Sequence, residues 1–194
     1  MTIDKLVLKA GARLLGIAES GIVGSSSSIL CGVVIRGDLV IDGVIWDSVT
    51  IRGMDATQAI LRMYEQLNRL DIGGIMLHGT VIAGYNIVDM VRLFDEMSLP
   101  IISVTKQPHE DLKQHLVSTF PEDWGSRWEV AQRNGDIYSV VISETTKIFV
   151  QCKGCDWEDA GNIIKQFSRS SGLPEPIRVA RLIARAFAEM TSQS

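Results

Sequence analysis

The chain has 194 residues, of which 46% are hydrophobic and 22% are charged, and its formal net charge is −4. This balance is typical of a globular protein with one core, and it argues against a chain whose whole surface coats nucleic acid or an anionic membrane. No apolar run approaches bilayer length, and residues 1–16 lack the apolar stretch of a secretory signal. We therefore expect a cytoplasmic protein with no membrane partner, folded as one domain over residues 1–194.

The first part of the chain is predicted to form an antiparallel meander. Three strands are expected over residues 12–19, 29–36 and 39–51. Gly37-Asp38 is a hairpin turn signal between the second and third strands, and Gly43 interrupts the third, which is either one bent strand or two short ones. Asp55 then begins a helix, where it can act as the N-terminal cap.

A strand–loop–helix–strand unit occupies residues 75–104. A short apolar run ends at His78, and a Gly/Asn loop leads into an amphipathic helix that ends before Pro100. A second apolar run then leads to Thr105 and Lys106. Such a crossover makes the two strands parallel neighbours, and ligands of open parallel sheets bind beyond the carboxyl ends of the strands. A functional site is therefore expected near His78 and Lys106.

The remaining elements are expected to be mainly helical. Helices are predicted over residues 108–120, 121–133, 157–169 and 175–190, with a hairpin formed by residues 137–142 and 147–151. Three antiparallel strands, a helix and a β-α-β unit follow one another in a ribonuclease H-like mixed α/β sheet flanked by helices. Other mixed α/β folds share this pattern.

Three residues are candidate metal ligands: Glu19, Asp55 and His78. The candidate catalytic residues are Asp55, His78 and Lys106. Glu19 ends the first strand, so it converges with His78 if the first and fourth strands are neighbours. Carboxylate oxygens suit magnesium, while an imidazole also suits manganese or zinc. A structural role for His78 is the alternative.

Basic residues suggest contact with phosphate. Lys106 follows a buried strand, and the spacing of Arg178, Arg181 and Arg185 places these arginines on one helix face. Such a stripe can bind a nucleic-acid backbone, although the solvated face of an amphipathic helix has the same pattern.

Other histidines and the cysteines give weaker signals. His109 and His115 are expected to face solvent. Cys152 and Cys155 form a C-x-x-C motif without the second ligand pair that structural zinc needs, so ordinary thiols are the favoured interpretation.

Five segments of the chain are distinctive: 53–57, 77–80, 84–89, 99–102 and 173–180. The most specific are Gly-Tyr-Asn-Ile-Val-Asp at 84–89 and Pro-Glu-Pro-Ile-Arg-Val-Ala at 174–180. In these segments the chain resembles an uncharacterised archaeal family related to endonuclease V. The resemblance spans about residues 13–186. It implies a ribonuclease H-like fold and an ancestral magnesium-dependent cleavage near deaminated bases, especially inosine, in DNA or RNA.

The resemblance also implies which catalytic positions are altered. Endonuclease V has an aspartate where this chain has Ala18, with Glu19 one position later, and a second aspartate where this chain has His78. Lys106 matches the lysine of the enzyme, whereas its glutamate has no clear counterpart and Asp55 is the nearest acidic residue. Adjacent strand residues point to opposite faces of a sheet, so Glu19 is no direct substitute for an acid at position 18.

Three functions remain open at this point. The first is binding of DNA, RNA or nucleotide with catalysis weak or lost, through Asp55, His78, Asp89 and Lys106. The second is a metal-dependent endonuclease with a rebuilt site containing Glu19, Asp55 and His78 and a metal such as magnesium or manganese. The third is a non-catalytic interaction module or homodimer.

Overall fold

The computed structural model of the protein describes residues 11–21, 26–143, 146–169 and 172–191. Residues 1–10, which carry most of the segment that argues against a secretory signal, lie outside these ranges. The strands are β1 Arg13–Glu19, β2 Ser27–Arg36, β3 Ile41–Thr50, β4 Ile72–Leu77, β5 Val81–Ile82, β6 Asn86–Ile87, β7 Ile101–Thr105, β8 Tyr138–Ser143 and β9 Thr146–Lys153. The helices are α1 Ala56–Leu67, α2 Met90–Met97, α3 Leu112–Thr119, α4 Trp124–Arg133, α5 Trp157–Gln166 and α6 Glu175–Thr191.

Seven strands form one mixed sheet in the order β3-β2-β1-β4-β7-β9-β8. β1, β4 and β7 are parallel neighbours, and the strands at both sides pair antiparallel. The predicted meander and parallel unit are therefore confirmed. β3 is a single strand with a register shift beside Gly43, which settles the choice between one strand and two.

Helices cover both faces of this sheet because side chains of each strand alternate between two apolar clusters. On one face, α1 and α2 cover a cluster that includes Leu15, Ile17 and Ile75. On the other, α5 and α6 cover a cluster that includes Ala18 and Met76. We call these the α1 face and the α6 face. Glu19 follows Ala18 and so belongs to the α1 side, as the strand period requires.

The N-terminus of α6 lies directly on β1. A Cβ atom added to Gly16 would be 2.3 Å from the Pro176 Cβ and 2.4 Å from its carbonyl carbon. Glycine is therefore needed at this position for the helix to approach the strand. This contact brings the arginines of α6 towards the carboxyl ends of β1 and β4.

The β5–β6 hairpin is the main element that sequence patterns missed. Its turn contains Ala83, Gly84 and Tyr85, all with positive φ. Two of these are not glycine, and such residues rarely adopt this conformation, so the sequence indicates only a loop here. Within the described ranges, no helix is long and apolar enough to span a membrane.

Candidate nucleic-acid site at the carboxyl ends of the parallel strands

The carboxyl ends of β1, β4 and β7 meet at one edge of the sheet and open into a cavity of about 490 Å³. The N–H of His78 donates to the Ile17 carbonyl at 2.9 Å, and the N–H of Gly79 donates to the Val104 carbonyl at 3.0 Å. The end of β4 is therefore fixed between its two parallel neighbours. Both Glu19 and His78 line the cavity, so their expected convergence is observed.

The outer wall of the cavity comes from α3, α4 and the loop before α3. Its lining includes His109, Leu112, Lys113 and Trp128. The Lys113 Nζ lies 5.7 Å from the centre of the Trp128 ring, and it lies 5.9 Å from the ring of Trp124. An ammonium group thus lies over an aromatic ring at the cavity wall, and these two groups together suit a base next to a phosphate.

Hydroxyl and carboxamide groups line the inner part of the cavity. The Thr80 hydroxyl donates to the Gln151 Oε1 at 3.2 Å, and the Gln151 Nε2 donates to the Gly135 carbonyl at 2.9 Å. Gln107 and Gln132 also line the cavity. Carboxamides offer donors and acceptors together, as the edge of a nucleobase requires.

His78 is half-buried and surrounded by positive charge. Burial, together with the charges of Arg181, Arg185 and Lys106, lowers the pKa of His78 from 6.5 to about 4. The imidazole is therefore neutral at pH 7. A neutral imidazole does not add to the repulsion among these cations.

Glu19 is held by two hydrogen bonds on the same oxygen. Its Oε2 accepts from the Ser28 hydroxyl at 3.1 Å and from the backbone N–H of Ala83 at 2.9 Å. The carboxylate thus links β1 to β2 and to the β5–β6 hairpin. Its charge also raises the pKa of Arg181, against the lowering by burial and by Arg185.

Asp55, predicted as a catalytic and metal residue, lies in a different network. Its carboxylate accepts from the Thr50 hydroxyl at 2.8 Å and from the Asn86 Nδ2 at 2.6 Å, and these bonds lower its pKa although burial opposes them. It precedes α1 but makes no side-chain cap bond, and it does not line the cavity. The structure therefore does not bring Asp55 to Glu19 and His78.

The side chains at the cavity fit a divalent cation poorly. Among the described residues, no group of three or more histidine, cysteine, aspartate or glutamate side chains is placed to hold a metal ion. Glu19 is the single predicted carboxylate ligand at this edge, and its Oε2 already accepts two hydrogen bonds. Magnesium takes six oxygen ligands, and the nearby cations oppose it.

The predicted basic residues fall into two groups. Arg178 is paired with Glu175, at 2.6 Å, near the start of α6. Arg181, Arg185 and Lys106 lie close enough to His78 to lower its pKa.

Asp89, expected at the site, caps α2 by accepting from the Arg92 N–H and pairs with Arg133 at 2.7 Å.

Sequence patterns missed the cavity walls contributed by Trp128 and Gln151. These residues lie far from the strand ends in sequence, and only the packing of α4 and the pairing of β9 with β7 bring them there. The signal that was available is the group Lys113, Trp124 and Trp128, in which aromatic and basic residues are interleaved. His109 and His115 are exposed as expected, but their rings lie 6.0 and 6.2 Å from Tyr85.

Cys152 and Cys155 are free thiols at the end of β9. A hydrogen bond between them lowers the pKa of Cys152 and raises that of Cys155. Cys155 is buried in the cluster on the α6 face, so the pair lies in a packed part of the molecule.

The fold and the site define a class of protein: a ribonuclease H-like α/β protein with a cavity at the carboxyl ends of its central strands. An endonuclease V from Ciona intestinalis, solved with DNA that contains an inosine, is similar with a TM-score of 0.65 and 15% identity over 95% of this chain and 88% of that one. At this identity the likeness concerns the fold. A protein of unknown function from Archaeoglobus fulgidus is similar with a TM-score of 0.79 and 25% identity, over 91% of this chain and 98% of that one.

The chain belongs to the family described as endonuclease dU, whose sequence profile matches residues 10–188. A UPF0215 protein of Methanothermobacter thermautotrophicus is 35% identical over 185 residues, which cover 91% of this chain and 88% of the relative. The resemblance to an endonuclease V-like family with archaeal members is therefore confirmed.

Proposed function

We propose that this protein binds DNA or RNA at the carboxyl ends of β1, β4 and β7 and accepts a deaminated base in the adjoining cavity. The observation that carries this proposal is the cavity itself, because aromatic, carboxamide and cationic groups line one opening at the strand ends. The family description suggests deoxyuridine as the base. The endonuclease V complex with inosine-containing DNA supports a nucleic-acid ligand for this fold.

The size and lining of the cavity suit a base that has left its stack. A volume of about 490 Å³ falls within the range of ~300–1,000 Å³ of small-molecule sites. The base would stack on the face of Trp128 that Lys113 does not cover, and Gln151 is fixed by Thr80 and Gly135 so that its amide keeps one orientation. Stacking favours any base, whereas a fixed amide favours one pattern of donors and acceptors.

In this proposal catalysis is weak or lost. The carboxylates expected for metal-assisted cleavage are reduced to Glu19 at this edge, because Asp55 is bonded to Thr50 and Asn86. The alternative is a metal-dependent endonuclease that acts near deaminated bases, with magnesium or manganese. The position of Glu19 and His78 at the same cavity favours that alternative. The homodimer expected from the sequence remains a prediction.

Fluorescence anisotropy tests the proposal with single-stranded and double-stranded DNA and with single-stranded RNA. Each DNA probe carries one deoxyuridine, one inosine or an ordinary base, and binding is measured in EDTA. We expect tighter binding to a deaminated base, and we expect Trp128→Ala to weaken binding by about tenfold or more, since base stacking contributes ~1–3 kcal/mol. Trp46→Ala is the matched control, because Trp46 is an exposed tryptophan of β3 outside the cavity.

The same probes with added magnesium or manganese separate the two functions. Cleavage that disappears in Glu19→Gln and His78→Ala would establish the endonuclease and refute the binding-only proposal. Equal affinity for all bases in wild type and in Trp128→Ala would refute base recognition in the cavity.

A further inference from the structure

Two arginines beside His78, Arg181 and Arg185, differ from most other described arginines of the protein. In the described part of the chain, eight arginines form ion pairs with carboxylates: Arg13, Arg36, Arg62, Arg69, Arg92, Arg127, Arg133 and Arg178. Among the same residues, Arg181, Arg185 and Lys106 have no carboxylate within ion-pair distance. Their positive charge is therefore left without a close counter-charge inside the protein.

These cations also belong to one side of the sheet, at the ends of adjacent strands. Met76 and Val104 lie in the cluster on the α6 face, so His78 and Lys106, each two positions further along, follow on the side where α6 packs. All three lower the pKa of His78, and Arg185 together with burial lowers the pKa of Arg181. Holding like charges together is unfavourable, and an anion between them removes the penalty. Glu19 acts on Arg181 in the opposite direction, but its effect is smaller than that of Arg185.

The donor groups fit an oxyanion rather than a metal ion. Arg181 and Arg185 are one turn apart on α6, and each guanidinium can donate two parallel N–H bonds to phosphate oxygens. Lys106 adds an ammonium group from the end of β7, and the imidazole of His78 carries at least one N–H that can donate. The backbone of β4 holds His78 through its bond to Ile17, so the imidazole has a fixed base.

We propose that His78, Lys106, Arg181 and Arg185 form a phosphate-binding site that works without a divalent cation. This inference rests on the proposed function for the identity of the ligand. The phosphate then belongs to the nucleic-acid backbone next to the base in the cavity. The cations of the protein then supply the charge neutralisation at this edge of the sheet. Arg178 is outside the site, because its charge is already paired with Glu175.

Inorganic phosphate tests the site directly, in EDTA and at low salt. NMR of the labelled His78 ring and isothermal titration calorimetry are run on wild type, on Arg181→Gln/Arg185→Gln and on Arg92→Gln. Arg92 is the control because it is an exposed arginine of α2, on the α1 face. We expect phosphate to shift the His78 signals of wild type and of Arg92→Gln, and we expect the double variant to bind at least about tenfold more weakly.

A second arm uses a single-stranded oligonucleotide with one deoxyuridine, and it separates this inference from the proposed function. Phosphate binding without oligonucleotide binding would refute the proposed function and leave the phosphate site. Oligonucleotide binding that the double variant does not change would refute the phosphate site alone. Phosphate binding that appears only after magnesium or manganese is added would also refute it. Circular dichroism of each variant confirms that the comparison is made on folded protein.

Discussion

The two ends of the central sheet treat their charges differently. At the amino ends of the parallel strands, Arg13 and Arg69 share Asp42, and both also contact Asp71. At the carboxyl ends, Arg181 and Arg185 of α6 lie near His78 without a carboxylate in ion-pair range among the described residues. The first arrangement is closed and satisfied within the protein. The second is open, and it is the arrangement that an external anion would complete.

This contrast separates stabilising charges from binding charges. Exposed ion pairs contribute little to stability individually, and networks contribute more. Clustered like charges repel one another, so they lower the stability of the free protein. A bound anion removes this cost. Charge mutations at the amino ends should therefore change stability, whereas charge mutations at the carboxyl ends should change affinity.

The largest effect on stability is expected at Gly16, where the start of α6 packs on β1. Gly16→Ala places a methyl group 2.3 Å from the Pro176 Cβ, so α6 must shift away from β1. We expect the free energy of unfolding to fall by about 3 kcal/mol or more. Urea unfolding measures this, with Gly125→Ala as control, because a Cβ at Gly125 meets no atom within 4 Å. Equal stability of both variants would show that α6 does not depend on this contact.

Arg181→Gln/Arg185→Gln is expected to affect affinity but not stability. If each arginine neutralises one phosphate, the slope of log affinity against log salt for single-stranded DNA should fall by about 0.7 per arginine. Removing two crowded cations should leave the unfolding free energy of the free protein unchanged or raise it. Anisotropy at several salt concentrations measures the slope, and urea unfolding measures the free energy of unfolding. An unchanged slope would show that the carboxyl ends of the parallel strands are not the binding surface.

The pH dependence of stability should report on His78. Its pKa is about 4 in the folded protein and 6.5 ordinarily, so the unfolded chain binds the proton more readily between these values. The contribution of the neutral imidazole is complete above pH 6.5 and is lost as the pH falls towards 4. Urea unfolding at pH 7 and pH 5 should therefore show a smaller loss for His78→Asn than for wild type. An equal loss would place His78 outside the cationic group.

Asp71→Asn should give the smallest effect. The hydrogen bond from Arg69 holds the pKa of Asp71 at about 2, so the stabilisation from this carboxylate is present above about pH 3.8 and is lost as the pH falls towards 2. We expect a slight loss of stability at pH 7 and no change in oligonucleotide affinity. A measurable loss of affinity would mean that the amino end also contributes to binding.

The sequence predicted most of the fold because the strands and helices have regular apolar spacing. It predicted that Glu19 and His78 converge if the first and fourth strands are neighbours, and the parallel pairing of β1 with β4 meets this condition. It could not place Asp55, whose role depends on a hydrogen bond to Asn86, 31 residues away. Glu175 lies three residues before Arg178, and this spacing already indicates that the two side chains pair on a helix. The proximity of Arg181 to His78 depends on how α6 packs, which the sequence does not show.

Binding of nucleic acid at the carboxyl ends of β1, β4 and β7 is tested most directly by NMR of uniformly labelled protein in EDTA. The protein is titrated with a single-stranded oligonucleotide that contains one deoxyuridine. We predict the largest shifts at His78, Gly79, Thr80 and Lys106, and none at Arg13 or Asp71. Shifts centred on the amino end of the sheet, or no shifts at a saturating concentration of the oligonucleotide, would contradict it.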